Sequence, residues 1–458
     1  MTALPSACVI GAGSSGIAAA KALGERGVPF DCFELSDRIG GNWVFENANR
    51  LSSAYRSLHI NTSRERMEYA DFPMSSGYPD FPHHTHIAKY FDDYVDHFGL
   101  RDRITFGTGV EHADRRGDGL WEIRLTTGEE RLYDALLVAN GHHWDPRWPE
   151  PPFPGEFSGE QTHSHHYIDN GQFRGKAVLV VGIGNSAMDI AVESSLVARR
   201  TYISSRRGAY VIPKYLFGQP VDQLLVSPLT PLIPWPVRRT LLSAMYRIGV
   251  GRVENYGLPK PDHRIGEAHP TVSGDFLNRL AHGELTWKPN VRELQGDSVR
   301  FEDGSIEEID TIVWCTGYKV TFPFLDPELL SAPDNDLPLY KRVFKPGIDN
   351  LFFIALLQPL GATMPLAEAQ GKWIAAYLRG EYHLPSLAET EEVTRRERDK
   401  VMRRFVASKR HTMEVDFDDY LHDLRRELRA GACRARAHGF RLPVPAKADR
   451  HSDSRVRA

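Results

Sequence analysis

The most constraining feature of this sequence is a glycine-rich turn near its beginning, flanked by short apolar runs. Residues 8–34 read CVIGAGSSGIAAAKALGERGVPFDCFE. The pattern is that of a strand, a tight turn, a helix and a second strand, which binds the diphosphate of a dinucleotide at the helix amino terminus. An acid stands about 20 residues after the turn, where a carboxylate can accept hydrogen bonds from ribose hydroxyls. The residues predicted to form this site are Gly11, Ala12, Gly13, Ser14, Ser15, Gly16 and Glu34.

The same pattern recurs in residues 177–191, AVLVVGIGNSAMDIA, with alanine in place of the third glycine. Arg206 and Arg207 follow the next apolar run, at the place where the first unit has its acid. A guanidinium suits a 2′-phosphate, whereas a carboxylate suits free ribose hydroxyls. The first site is therefore predicted to bind an unphosphorylated ADP-ribosyl group such as that of FAD, and the second to bind NADPH; the alternative for the two arginines is a solvated basic turn. The residues predicted for the second site are Gly182, Gly184, Asn185, Ser186, Ala187, Met188, Asp189 and Arg206.

Composition excludes several other classes of protein. The chain has 458 residues and a formal net charge of −4, which argues against a general nucleic-acid binder. The four cysteines form no C-x-x-C pair, so no metal site and no redox-active dithiol are predicted. No apolar run is long enough for a transmembrane helix, and the first strand begins too early for a signal peptide. A cytoplasmic location and no membrane partner are the expectation.

The two patterns predict an α/β fold with two Rossmann-like dinucleotide-binding domains, the NADPH domain inserted into the FAD domain. The predicted bounds are 1–170 and 286–445 for the FAD domain and 171–285 for the insertion. Residues 446–458 are polar and are expected to be disordered. Within the insertion, residues 215–257 are rich in Leu and Pro without clear periodicity. They are interpreted as a substrate route or a packed insertion.

A segment between the two turns identifies a family. Residues 157–167, FSGEQTHSHHY, resemble the F-x-G-x-x-x-H-x-x-x-(F/Y/W) fingerprint of class B flavin monooxygenases. The terminal Tyr167 resembles the flavin-containing monooxygenase branch, and the resemblance extends over roughly residues 9–380. Cys315 departs from the alanine that is usual there. The hydrophobic carboxy-terminal anchor of animal members is absent, so the chain resembles a soluble microbial member.

The resemblance implies a mechanism. NADPH would reduce FAD, O₂ would add at the flavin C4a to give a hydroperoxide, and its distal oxygen would pass to a soft nucleophile, a tertiary amine or a sulfide. Asn61 would be the catalytic residue beside C4a, although alone it reads as a turn or a helix cap. His163 and Tyr167 would brace the hinge, and a homodimer is allowed. The further FAD-binding residues implied are Asn42, Trp43, Asn61, Thr62 and Gln370.

Three other functions share parts of this pattern. A Baeyer–Villiger monooxygenase acting on ketones would have the same fold and cofactors, and is the main alternative. A flavin-dependent disulfide reductase is disfavoured by the absence of C-x-x-C. A flavoprotein without oxygenase activity could instead bind a partner through residues 215–257.

Overall fold

The fold was analysed in a computed structural model, which describes residues 4–224, 230–405 and 411–439. Helices and two parallel sheets dominate the described ranges. The predicted tail at 446–458 lies outside them. The α-helices are α1 Ser14–Glu25, α2 Arg64–Met67, α3 His84–His97, α4 Asn185–Ser195, α5 Trp235–Gly249, α6 Phe276–Ala281, α7 Met364–Arg379, α8 Leu387–Arg404 and α9 Phe417–His438.

The first large sheet contains the first glycine turn. All of its strand pairs are parallel, and α1 packs against α7 beside it. A Cβ on Gly371 of α7 would lie 3.1 Å from Cα of Ala19, so the small residues of the two helices allow close packing. In spatial order the strands are Leu351–Phe353, Ala135–Val138, Ala7–Ile10, Phe30–Phe33 and Ile104–Thr105.

The second large sheet contains the second glycine turn and is also parallel throughout. Because the chain leaves the first sheet after residue 138 and returns to it at residue 351, the predicted α/β fold with an inserted dinucleotide-binding unit is confirmed. The sheet extends beyond the predicted 171–285 segment on both sides. In spatial order its strands are Glu160–His163, Thr311–Trp314, Ala177–Val181, Arg200–Ser204 and Thr286–Lys288.

Smaller sheets cover the edges of these two units. Two are antiparallel meanders, one of which is extended by a parallel strand. The first meander consists of Val110–Arg115, Trp121–Leu125 and Glu130–Tyr133. The second consists of Val291–Gly296, Ser298–Phe301 and Ile306–Glu308, and Gly155–Phe157 is its parallel strand. The two-stranded sheets are Asp145–Pro146 with Tyr318–Lys319, Val211–Ile212 with Thr271–Val272, Tyr215–Leu216 with Gln219–Pro220, and Gln358–Leu360 with Glu414–Asp416.

The Leu/Pro-rich region contains an element that the sequence analysis missed. Residues Trp235–Gly249 form the 15-residue helix α5. Two prolines, Pro234 at the N-cap and Pro236 in the first turn, are typical of loops. A helix tolerates proline at these positions because the N–H groups of its first turn have no partner within the helix. Among the described residues, no helix combines the length and the apolar character needed to cross a membrane.

Candidate functional site

The first glycine of each turn packs against the end of the neighbouring parallel strand. Gly11 has φ +98° and Gly182 has φ +135°, both in the region that favours glycine. A Cβ on Gly11 would lie 2.8 Å from the carbonyl oxygen of Ala139, and a Cβ on Gly182 would lie 2.5 Å from that of Cys315. Glycine is therefore required at both positions by conformation and by space.

The amino termini of α1 and α4 open into one large cavity. Their N-cap residues, Gly13 and Gly184, supply no side-chain hydrogen bond to the first-turn N–H groups, which stay available to an anion. The cavity has a volume of about 1730 Å³. That exceeds the roughly 300–1,000 Å³ of a site for one small ligand, as two dinucleotides require. The predicted residues that line it are Gly11, Gly13, Ser14, Ser15, Glu34, Asn42, Trp43, Asn61, Thr62, Gly182, Gly184, Asn185, Ser186, Ala187 and Arg206.

Glu34 lies on the cavity wall at the end of the second strand, only 5% exposed. Its two carboxylate oxygens accept hydrogen bonds from the backbone N–H groups of Ala12 and Ser36, each at 2.7 Å. Burial raises the pKa of Glu34, and these two hydrogen bonds oppose the rise. A carboxylate oxygen has more than one acceptor site, so each can still accept from a ribose hydroxyl.

Replacing Glu34 by alanine should weaken flavin retention, because the ribose loses a charge-assisted acceptor and two buried N–H groups lose their partner. The measurement is the flavin absorbance per protein after dialysis, with circular dichroism of the apoprotein as the control for folding. Full flavin occupancy in a folded Glu34→Ala variant would contradict the assignment of the first site.

Asn61 lies on the cavity wall just before α2. The N-cap of that helix is Ser63, so Asn61 does not cap it. Within the described ranges, the Asn61 side chain makes no hydrogen bond to protein, which leaves its amide available to the cavity. Asn42 differs, because its Oδ1 accepts hydrogen bonds from the N–H of Ser53 at 2.8 Å and from its hydroxyl at 2.9 Å.

The two arginines after the fourth strand of the second sheet differ in their contacts. Both are exposed on the cavity wall. Arg207 forms an ion pair with Asp262 at 3.3 Å. Arg206 has no ion-pair partner in the part of the chain that the structure describes, so its guanidinium is the freer of the two for a phosphate.

Five predicted cofactor residues do not line the cavity, and packing directly explains two of them, Gly16 and Met188. Gly16 allows α1 to approach the turn, since a Cβ there would lie 1.8 Å from the carbonyl oxygen of Gly11. Met188 is fully buried in the core of the second unit. The residues concerned are Ala12, Gly16, Met188, Asp189 and Gln370.

Gln370 is fully buried on α7 and acts on the cavity through the backbone. Its Oε1 accepts from the N–H of Ala355 at 2.7 Å, and its Nε2 donates to the hydroxyl of Tyr420 at 2.7 Å. Ala355 lines the cavity and has φ +56°, an uncommon conformation for a residue other than glycine. Gln370 thus holds a strained part of the wall.

Asp189 and Glu193 on α4 join the two units. The hydroxyl of Tyr55 donates to Asp189 at 2.5 Å. Glu193 accepts from the hydroxyls of Tyr167 and Ser57. The bracing role of Tyr167 stays a prediction, whereas Asp189 faces Tyr55 and does not line the cavity. Burial raises the pKa of Asp189 to about 6, opposed by the Tyr55 hydrogen bond and the charge of Lys214.

This pKa predicts a pH-dependent stability. Asp189 has an ordinary pKa of 3.8, so the folded protein binds its proton more tightly than the unfolded chain, and stability falls as pH rises between about 4 and 6. Asp189→Asn removes the titration and keeps an acceptor for Tyr55. Its free energy of unfolding relative to wild type should increase with pH up to about 6, by at most about 3 kcal/mol, and then stay level. Thermal midpoints between about pH 4 and pH 8 measure this difference; a pH-independent difference would contradict the prediction.

Asn140 lines the cavity, and the sequence analysis did not identify it as a candidate. Its Nδ2 donates to the carbonyl of Thr321 at 3.2 Å. Its Oδ1 is buried on the cavity wall without a partner in the described ranges. An orphaned buried acceptor is costly unless a ligand satisfies it, so Asn140 fits a donor on a bound cofactor.

Comparison with known proteins places this geometry in a family. The model of the flavin-binding monooxygenase-like family matches residues 6–432. The chain belongs to this family. It is 38% identical over 435 residues to flavin-containing monooxygenase 5 of Rattus norvegicus, covering 91% of this chain and 81% of the relative. It is 35% identical over 440 residues to dimethylaniline monooxygenase [N-oxide-forming] 2 of the same species, covering 92% and 82%.

Among solved structures, S-allyl-L-cysteine S-oxygenase from Allium sativum superposes with a TM-score of 0.70 at 25% identity, covering 93% of this chain and 89% of that one. Family membership confirms the predicted resemblance and the enzyme class, a flavin monooxygenase with FAD and NADPH as cofactors. O₂ and a small-molecule substrate are the partners that such an enzyme requires.

Proposed function

We propose that this monooxygenase uses NADPH and O₂ to oxygenate soft nucleophilic nitrogen and sulfur atoms, in tertiary amines and sulfides. The observation that carries the proposal is the cavity into which both glycine turns open, together with the Asn61 amide, which has no hydrogen-bond partner among the described residues. Relatives whose names specify N-oxide formation and S-oxygenation support this substrate class.

The cavity wall offers each cofactor its own set of residues. FAD would be held by the first turn, the α1 amino terminus, Glu34 and the Asn42–Trp43 segment; when reduced and bound, it supplies the oxygen activation. NADPH would be held by the second turn, the α4 amino terminus and Arg206. Asn61, which lines the same cavity, would donate a hydrogen bond to oxygen as negative charge develops on it, without giving up a proton.

The substrate would enter beside α5. Leu241, Leu242 and Met245 of this helix line the cavity. Apolar walls favour a substrate that presents apolar groups around its nucleophilic atom and disfavour small ions. The interpretation of residues 215–257 as a substrate route is therefore retained as part of the proposal, for the described part of that region.

Product analysis under ¹⁸O₂ tests the proposal. Purified enzyme is supplied with NADPH and, separately, a tertiary aromatic amine, a thioether and a cyclic ketone. We expect one labelled oxygen in an N-oxide and in a sulfoxide, with NADPH consumed in proportion. Labelled lactone from the ketone, with no product from the amine or the thioether, would replace the proposal by the Baeyer–Villiger alternative.

We also propose a cytoplasmic location and a homodimer, both of which stay predictions from the sequence. Light scattering of the flavin-loaded protein after gel filtration measures the second. A mass near 51.7 kDa, that of one chain, would contradict it.

A further inference from the structure

The backbone on both sides of Asn61 is held by side chains from a distant part of the chain. Lys214 Nζ donates to the carbonyl oxygen of Ile60 at 3.1 Å. Asp222 Oδ2 accepts from the N–H of Ser63 at 2.6 Å. Gln223 Nε2 donates to the hydroxyl oxygen of Ser63 at 3.0 Å. These three hydrogen bonds hold the loop from residue 60 to residue 63 immediately before Asn61 and two residues after it. Lys214, Asp222 and Gln223 are the loop-holding residues.

Two of these three hydrogen bonds involve a charged group. A bond from an N–H to a carboxylate is roughly twice as strong as one between neutral groups, and 2.6 Å is short for it. The Lys214 ammonium is half-buried and lies 5.0 Å from the centre of the Phe81 ring. Burial lowers the pKa of Lys214, while the charges of Asp189 and Asp275 oppose that effect.

The loop-holding residues are connected to one another by backbone hydrogen bonding. The carbonyl oxygen of Lys214 accepts a hydrogen bond from the N–H of Val221 at 3.0 Å. This bond connects Lys214 to the segment that contains Asp222 and Gln223. The preceding strand, Val211–Ile212, pairs with Thr271–Val272. Val272 in turn donates its N–H to Oδ1 of Asn185 in the second glycine turn at 2.8 Å. Backbone and side-chain hydrogen bonds therefore connect the loop-holding residues to the second dinucleotide unit.

We propose that Asp222, with Lys214 and Gln223, positions the Asn61 amide in the cavity. Asp222 and Asn61 both line the cavity, so a displaced loop would move the amide relative to bound cofactor. This rests on the proposed function, because it presumes that Asn61 contributes to oxygen chemistry. Asp222 is a positioning residue that acts through the backbone of Ser63.

Hydrogen–deuterium exchange tests the positioning without relying on turnover. In Asp222→Ala, the Ser63 amide of the flavin-loaded protein loses its acceptor and should exchange at least about tenfold faster. Asp222→Asn keeps a neutral acceptor and should lie between this variant and wild type. The matched control is Tyr215→Phe, which removes the 2.5 Å bond from Tyr215 to Asp80 in the same segment without touching the loop. Its Ser63 amide should exchange as in wild type.

The second readout is hydrogen peroxide released per NADPH consumed. Asp222→Ala should approach the value of Asn61→Ala, with NADPH-dependent flavin reduction unchanged, and the double variant should release no more than Asn61→Ala alone. Wild-type exchange and wild-type peroxide release in a flavin-loaded Asp222→Ala would overturn the proposal. Should that variant not fold, wild-type values for both readouts in Asp222→Asn and Gln223→Ala together would overturn it equally.

The two proposals fail in different ways. If Asn61→Ala itself forms product with wild-type coupling, the role of Asn61 in the proposed function is wrong. If Asn61→Ala releases peroxide while Asp222→Ala does not, only the positioning by Asp222 is wrong.

Discussion

Asn61→Ala and Asn61→Asp are expected to bind FAD, to be reduced by NADPH and then to release hydrogen peroxide in place of oxygenated product. The wild-type amide can donate a hydrogen bond without delivering a proton. Alanine removes this donor, and an ionised aspartate can only accept and would repel developing negative charge. Losing one such donor typically costs about 10²–10³ in rate, enough for peroxide release to dominate.

The test measures hydrogen peroxide and oxygenated product formed per NADPH consumed, both in the same sample of each variant. The control is the thermal midpoint of each variant. If Asn61 were only a helix cap, replacing it would lower the free energy of unfolding by about 1 kcal/mol. The ratio of oxygenated product to NADPH consumed would then stay at the wild-type value. The structure makes Ser63 the N-cap of α2 instead. A folded, flavin-loaded variant that couples like wild type would remove Asn61 from the mechanism.

Arg206→Ala should raise KM for NADPH and leave KM for NADH nearly unchanged. Loss of a phosphate–guanidinium contact costs about 1.5–3 kcal/mol, which is roughly ten- to a hundred-fold in affinity. The reason is that Arg206 lies exposed on the cavity wall without an ion-pair partner among the described residues. Steady-state kinetics with both nucleotides measure the ratio.

Arg207→Ala gives the matched comparison. Arg207 already pairs with Asp262, so its loss should affect NADPH less than the loss of Arg206. Equal losses with NADPH and NADH in Arg206→Ala would indicate a folding defect. Equal losses of NADPH preference in both variants would show that the phosphate is shared between the two arginines.

The local patterns could be predicted from sequence because short-range chemistry determines them. Gly11 and Gly182 need a positive φ, and each lies in a predicted turn between a strand and a helix. The grouping of the two turns and Asn61 in one cavity followed only from family resemblance. Spacing alone carries no distance between residues so far apart in the chain.

Three features escaped prediction for physical reasons. Helix α5 was hidden by prolines that stand in its permissive first turn. Asp189 lies just beyond the first turn of α4, yet its side chain faces Tyr55, because α4 presents different faces to the cavity and to the first unit. The contact of Asp222 with Ser63 joins positions with no sequence pattern in common.

One consequence of the Leu/Pro-rich region concerns protein engineering. This stretch of chain supplies the apolar wall of α5 and, just before it, Asp222 and Gln223, whose side chains hydrogen-bond to Ser63. A chimera that exchanges residues 215–257 with another member to broaden substrate scope would replace Asp222 and Gln223 as well. Grafts that begin after residue 230 keep Asp222 and Gln223, so under the proposed roles of α5 and Asp222 they should alter substrate range without raising the release of hydrogen peroxide.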